Sequence, residues 1–135
     1  MSYNIIDIEG IGPAYATKLN AAGINTTDDL LSKGGTKAGR KALADASGID
    51  EGKILTWVNH SDLHRIDGIA GQISELMEAA GVDTVKELAT RNAGNLATKM
   101  QEVNDAKNLS GRVPGAEQLQ KMIDQAKTLK QKVFH

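Results

Sequence analysis

Residues 8–31 of the chain return, in diluted form, 58 residues later. Ile8-Glu-Gly-Ile aligns with Ile66-Asp-Gly-Ile, and Ala21-Ala-Gly-Ile24 aligns with Ala79-Ala-Gly-Val82. Thr26 and Leu30 fall over Thr84 and Leu88, so that eight of the 24 aligned positions are identical. The match then weakens. Ile49-Asp50 and Val113-Pro114 correspond as helix openings, and Leu55 and Val58 fall over Leu119 and Met122 once the shift grows to 64. A unit that occurs twice narrows the choice of fold, because each copy must bury its apolar face against itself and its twin. The expectation is a tandem duplication of a unit of roughly 60 residues. Residues 1–60 form the first copy and 61–135 a second, more degenerate one with extra loop length at 104–112, the two packed as one compact body.

The unit reads as helical. Thr26-Thr-Asp-Asp29 and Thr84-Val-Lys-Glu87 each place a hydroxyl three residues before a carboxylate. That is the capping-box spacing, in which both side chains satisfy free amides at a helix start. Gly23 and Gly81 precede those caps, where the previous helix has to end in a left-handed turn. Pro13 and Pro114 suit a first helical turn, where a missing N–H costs nothing. The signals predict helices over about 2–8, 13–22, 26–33, 36–46 and 50–60, then 61–66, 71–80, 84–91, 93–106 and 114–131. Period-two alternation is confined to short segments, so the fold class is all-α with no sheet expected. Trp57, the one tryptophan, is the largest apolar body and is expected as core between the two copies.

Composition removes several function classes. Sixteen Lys and Arg against 17 Asp and Glu leave a formal charge of −1, too weak a field to draw the whole molecule towards a polyanion. Without cysteine there are no disulfides, thiolate metal sites or cysteine nucleophiles. No apolar run reaches the ~18 residues of a membrane span, and Met1–Gly10 does not read as a signal peptide. A cytoplasmic protein with no membrane partner is expected.

Ile8-Glu-Gly-Ile-Gly-Pro-Ala-Tyr-Ala-Thr-Lys-Leu19, followed by Ala22-Gly23-Ile24, resembles the helix-hairpin-helix motif. Gly10 and Gly12 supply backbone freedom in the hairpin, and Ile11 can plug the gap between the two helices. The amides of Gly12, Ala14 and Tyr15 would open the second helix at its positive end, an anion site in kind. In DNA-binding families of this motif such amides hold phosphate oxygens without reading bases. The second hairpin, Gly68-Ile-Ala70-Gly71, departs from the pattern, with Ala70 for the second glycine and Gly71 for the proline. Over its length the chain is similar to an uncharacterised bacterial family of tandem helix-hairpin-helix domains of unknown function. Trp57-Val-Asn, the stretch from Asp62 to Ile69, and Arg112-Val-Pro114 carry that match. More distantly, the stretch from Ala22 to Leu30 resembles the C-terminal domain of the bacterial RNA polymerase alpha subunit.

Cations are sparse beside the hairpins. Asp7 and Glu9 precede the first and only Lys18 follows it, while the second has Asp67, Glu75 and Glu78 against Arg65. The stretch from Lys33 to Lys41 is richer, with Lys33, Lys37, Arg40 and Lys41, two glycines in a row and no carboxylate. Free amides and positive charge make it the best phosphate-contact segment. From Gln118 to His135 four lysines face one aspartate, on what reads as a solvated, frayed tail.

His60 and His64 stand four apart on one helix, but no third and fourth ligand join them, so no metal site is expected. No nucleophile elbow, Walker-type loop or carboxylate in an apolar context is present. The expectation is a non-enzyme without a cofactor.

The leading expectation is therefore a non-catalytic module that grips nucleic-acid backbone, DNA being the expected partner, without sequence specificity. Gly10, Gly12, Ala14 and Lys18 would act at the first hairpin, with Lys33, Lys37, Arg40 and Lys41 alongside. Gly68, Ala70 and Gly71 form a degenerate second hairpin. Reversing the charge at Lys37 and Arg40 is expected to spare the fold. The alternative is a protein–protein or self-assembly module in which the hairpins are purely structural.

Overall fold

The computed structural model describes residues 3–69 and 71–135, and every regular element in them is helical. The elements are α1 (Pro13–Ala21), α2 (Thr27–Gly34), α3 (Lys37–Ser47), α4 (Glu51–Leu63), α5 (Gly71–Ala79), α6 (Val85–Leu88), α7 (Ala93–Lys107) and α8 (Ala116–Ala126). Local chemistry sets most of these boundaries. Thr26 accepts from the Asp29 amide at 3.1 Å while Asp29 returns Oδ2 to the Thr26 amide at 3.1 Å, closing a full capping box on α2. The amides of Asn25 and Thr26 hold the Asp29 carboxyl below its usual range. At α6 the box is half made: Thr84 accepts from the Glu87 amide, but the Glu87 carboxylate turns to Arg91 at 2.6 Å. α6 ends after one turn, and Arg91 reaches back to the carbonyl of Gly81 at 2.7 Å.

The same turns recur at the spacing of 58. Gly10 and Gly68 have φ of 91° and 88°, and Gly23 and Gly81 have 86° and 94°. The amides of Ile11 and Ile69 donate to the carbonyls of Ile8 and Ile66, both at 3.1 Å. Those of Ile24 and Val82 donate to Leu19 and Met77 at 2.9 and 2.8 Å, closing α1 and α5 in the same way.

Departures from the expected elements have identifiable causes. The helix expected over 2–8 is only a 3-10 turn, Ile5–Asp7. Its lead-in is held extended instead, with Asn4 bridged to Thr26 and the Tyr3 carbonyl accepting from the Thr27 amide at 2.8 Å. The separate helices expected over 50–60 and 61–66 are the single helix α4, which runs through residue 60. α8 starts at Ala116 rather than Pro114 and stops at Ala126, not 131.

Apolar side chains gather in two clusters. One surrounds Leu19, Ile24, Leu30, Ile54 and Val58, the other Leu76, Met77, Leu88, Met100 and Leu119. α4 serves both, with Trp57 and Val58 in the first and Leu63 in the second. Trp57, expected between the copies, thus lies in the first cluster, with Tyr15 edge-on at 5.1 Å. The last residues do not fray. Val133 is buried in the first cluster although the chain reaches it from α8 in the second.

Candidate binding surfaces

The C-terminal tail crosses back to the first unit and is clamped there by Arg40. This guanidinium is 3% exposed and donates to the carbonyls of Gly34 at 3.0 Å, Gly35 at 3.2 Å and Phe134 at 2.9 Å. The Phe134 amide donates in turn to Gly35 at 2.7 Å. Arg40 therefore does not serve as a surface phosphate contact: its donors are spent on backbone, correcting the role expected for it. Charge reversal there would also bury a carboxylate against carbonyls and would not spare the fold.

A second clamp lies farther up the tail. Asp62, 2% exposed on α4, accepts from the Val85 amide at 2.8 Å and from Arg65 Nη1 at 2.7 Å. Arg65 Nη2 then donates to the Lys130 carbonyl at 2.8 Å. Sequence reading missed both residues as anchors, because nothing local marks a carboxylate that works through an arginine three residues on.

Docking the tail changes what lies near the basic stretch. Lys33, Lys37 and Lys41 are exposed on α2 and α3, and the tail brings exposed Lys132 to the α2–α3 turn, while exposed Lys130 lies two residues earlier with its carbonyl on Arg65. A hollow of about 400 Å³ there is lined by Lys37, Arg40, Glu51, Gly52, Leu55 and His135. Glu51 is the one acidic side chain among those lining residues.

The first hairpin lies apart from this edge. Lys33 Nζ stands over Gly23, 2.9 Å from where a Cβ there would be, and so sits at the C-terminal end of α1. Gly12 caps the other end, and nine helical residues separate them by about 12 Å. Lys33 and Gly12, expected alongside one another, are thus at opposite ends of α1, with Lys18 in its last turn. At the hairpin, Gly10 uses its left-handed backbone, but Gly12 is an ordinary extended N-cap with φ −89°, so its expected conformational freedom is unused. Gly12 and Ala14 are exposed and no side chain caps α1. Lys18 Nζ and Lys53 Nζ stand 6.0 and 5.9 Å from the Tyr15 ring centre, and Lys53 is a cation that the sequence did not place here.

At the second hairpin Gly68 keeps the left-handed turn and Gly71 opens α5, while Ala70 lies outside the described residues. His60 and His64 are both buried but do not face a common ligand. His60 Nε2 pairs with Glu78 at 2.8 Å, and the Tyr3 ring meets His64 edge-on at 5.3 Å. Burial, with His60 adding to it and Asp7 opposing, pushes the His64 pKa down to about 4. No group of three or more His, Asp or Glu among the described residues is arranged to hold a metal ion. No described helix is long and apolar enough to cross a membrane.

A family model matches residues 9–129, which takes in every helix from α1 to α8 and most of both cores. The chain belongs to the DUF4332 family, a domain of unknown function. No curated protein and no solved structure matches the chain. The residues outside the matched span include Lys130, Lys132 and the clamped Phe134, so the tail half of the basic edge lies beyond the DUF4332 match.

Proposed function

We propose that this chain is a non-catalytic, cytoplasmic module that holds nucleic-acid backbone without sequence specificity. It does so along the basic edge made by the α2–α3 turn and the docked tail. The carrying observation is the Arg40–Phe134 clamp, which holds the tail, with exposed Lys132, on the turn between α2, which carries Lys33, and α3, which carries Lys37 and Lys41. Phosphate neutralisation supplies most non-specific affinity, and it depends on local charge rather than on the overall −1. Recurrence of the hairpin turns at a spacing of 58 supports reading the chain as tandem helix-hairpin-helix units. In that reading the open amides of Gly12 and Ala14, with Lys18, give a secondary phosphate contact. The degenerate second hairpin then serves as a folding device.

The test is charge reversal away from the clamp. Lys37→Glu combined with Lys132→Glu should leave the melting temperature within a degree or two and weaken binding to a labelled duplex by at least tenfold, two phosphate contacts being lost. Unchanged affinity in a folded double variant contradicts the proposal.

A further inference from the structure

We propose that the cleft between the first hairpin and α5 binds the cationic side chain of a basic peptide segment, a guanidinium above all. The cleft, about 360 Å³, is walled by Glu9 and Gly10 of the hairpin, Tyr15 of α1, Trp57 and His60 of α4, and Glu75 and Glu78 of α5. It is independent of the nucleic-acid reading and chemically opposite to it: a phosphate would meet three carboxylates here.

Two features point to the ligand. The first is unmatched negative charge. Glu9 and Glu75 have no ion-pair partner within 4.0 Å among the described residues, and Glu78 has only the His60 ring. Lys53 also lines the cleft but pairs with none of them; its ammonium stands off the face of Tyr15 instead. The aromatic wall therefore already attracts cations, as a π face does. The second is an unspent donor. Trp57 is 4% exposed, and its indole N–H makes no hydrogen bond among the described residues and is not closed off from solvent. Nε1 points to Gly10 at the cleft wall, 3.4 Å from where a Cβ on that glycine would stand. A mostly buried tryptophan whose only polar atom opens on a cleft offers a donor that an acceptor entering the cleft can take up.

A cation for the carboxylates and a nearby carbonyl for the indole describe one object: a basic residue within a peptide. Arginine suits it best, because a guanidinium meets carboxylates through two parallel hydrogen bonds and stacks on an aromatic ring. Glycine at position 10 keeps the approach to the indole open as well as making the turn. Glu9 Oε1 also lies 3.5 Å from where a Cβ on Gly71 would stand, so the cleft exists only while the two hairpins are docked together.

Because the chain has a single tryptophan, the 1H–15N indole cross-peak reads this site alone. The probe is acetyl-arginine-amide titrated into the full chain, with acetyl-norvaline-amide as the uncharged match and agmatine as the cation without a carbonyl. Saturable movement of the indole peak with the arginine probe, absent with norvaline, is expected. Glu9→Gln with Glu75→Gln, both free of structural partners, should weaken it about tenfold while the remaining amide peaks superpose. Three results overturn the proposal: no saturable shift, a shift that survives in the Gln variants, or equal response to norvaline. Agmatine binding as tightly as the arginine probe would assign the cleft to a free cation and overturn the peptide partner.

Discussion

Arg40 Nη2 donates to the carbonyl of Phe134 at 2.9 Å, joining residues 94 apart in the chain. That bond fixes the segment after α8 on the first unit. It also removes Arg40 from the surface and leaves its lysine neighbours there. Arg40→Ala should cost about 3 kcal/mol, since three carbonyls lose their donor around a largely buried guanidinium. Arg40→Lys should recover only part of this, because an ammonium cannot reach the same carbonyls as a planar fork. Denaturant midpoints of the three proteins check the order.

Removing residues 131–135 should destabilise the chain by about 2 kcal/mol through loss of the buried Val133 side chain and the Phe134–Gly35 bond. The same truncation should weaken duplex binding, because Lys132 goes with it. A truncated chain with unchanged stability would mean that the tail is not docked in solution.

Gly10→Val should lower stability by about 2–3 kcal/mol. A branched residue is strained at φ 91°, and its Cβ would stand in van der Waals contact with the Trp57 indole. Gly12→Ala is the control: with φ −89° and no atom within 4 Å of the new methyl, it should be neutral or slightly stabilising. Thermal melts distinguish the two, since equal melting temperatures would deny the left-handed turn at Gly10.

Stability should fall as pH drops from about 6.5 towards 4. His64 is buried with both ring nitrogens unpartnered among the described residues, and its pKa is lowered from 6.5 to about 4. Between those values the unfolded chain binds a proton that the folded chain refuses, so unfolding becomes more favourable as acid is added. Above 6.5 both states are neutral at this position and the effect vanishes. The shift corresponds to about 2–3 kcal/mol at pH 4. His64→Leu should flatten that part of the stability profile relative to the parent, as measured by urea unfolding at pH 7 and pH 4.5.

Much of this architecture was legible in the chain because its signals are local. Thr26 and Asp29 cap α2 through atoms three residues apart, and Gly10, Gly23, Gly68 and Gly81 sit where left-handed turns are needed. The all-α class followed from such signals. Elements held by distant partners were not legible. Residues 3–4 are extended because Thr26 and Thr27 lie beside them, which no local propensity encodes. Arg40 reads as one more cation in a basic run, and only the fold reveals three carbonyls around it. The tail after Ala126 carries little besides Val133 to hint that it docks. At the candidate surfaces the residue types were visible and their grouping was not. Lys33 and Gly12 are near in sequence but stand at opposite ends of α1, whereas Glu9, Trp57 and Glu75 are distant in sequence and share one cleft.

The most direct measurement is fluorescence anisotropy of a labelled duplex titrated with the intact chain at about 50 and 200 mM salt. Gripping the backbone through the Lys33–Lys41 and Lys130–Lys132 edge should give binding in the micromolar range at the lower salt that collapses at the higher. No binding at 50 mM, or an affinity indifferent to salt, would contradict a role in holding nucleic-acid backbone.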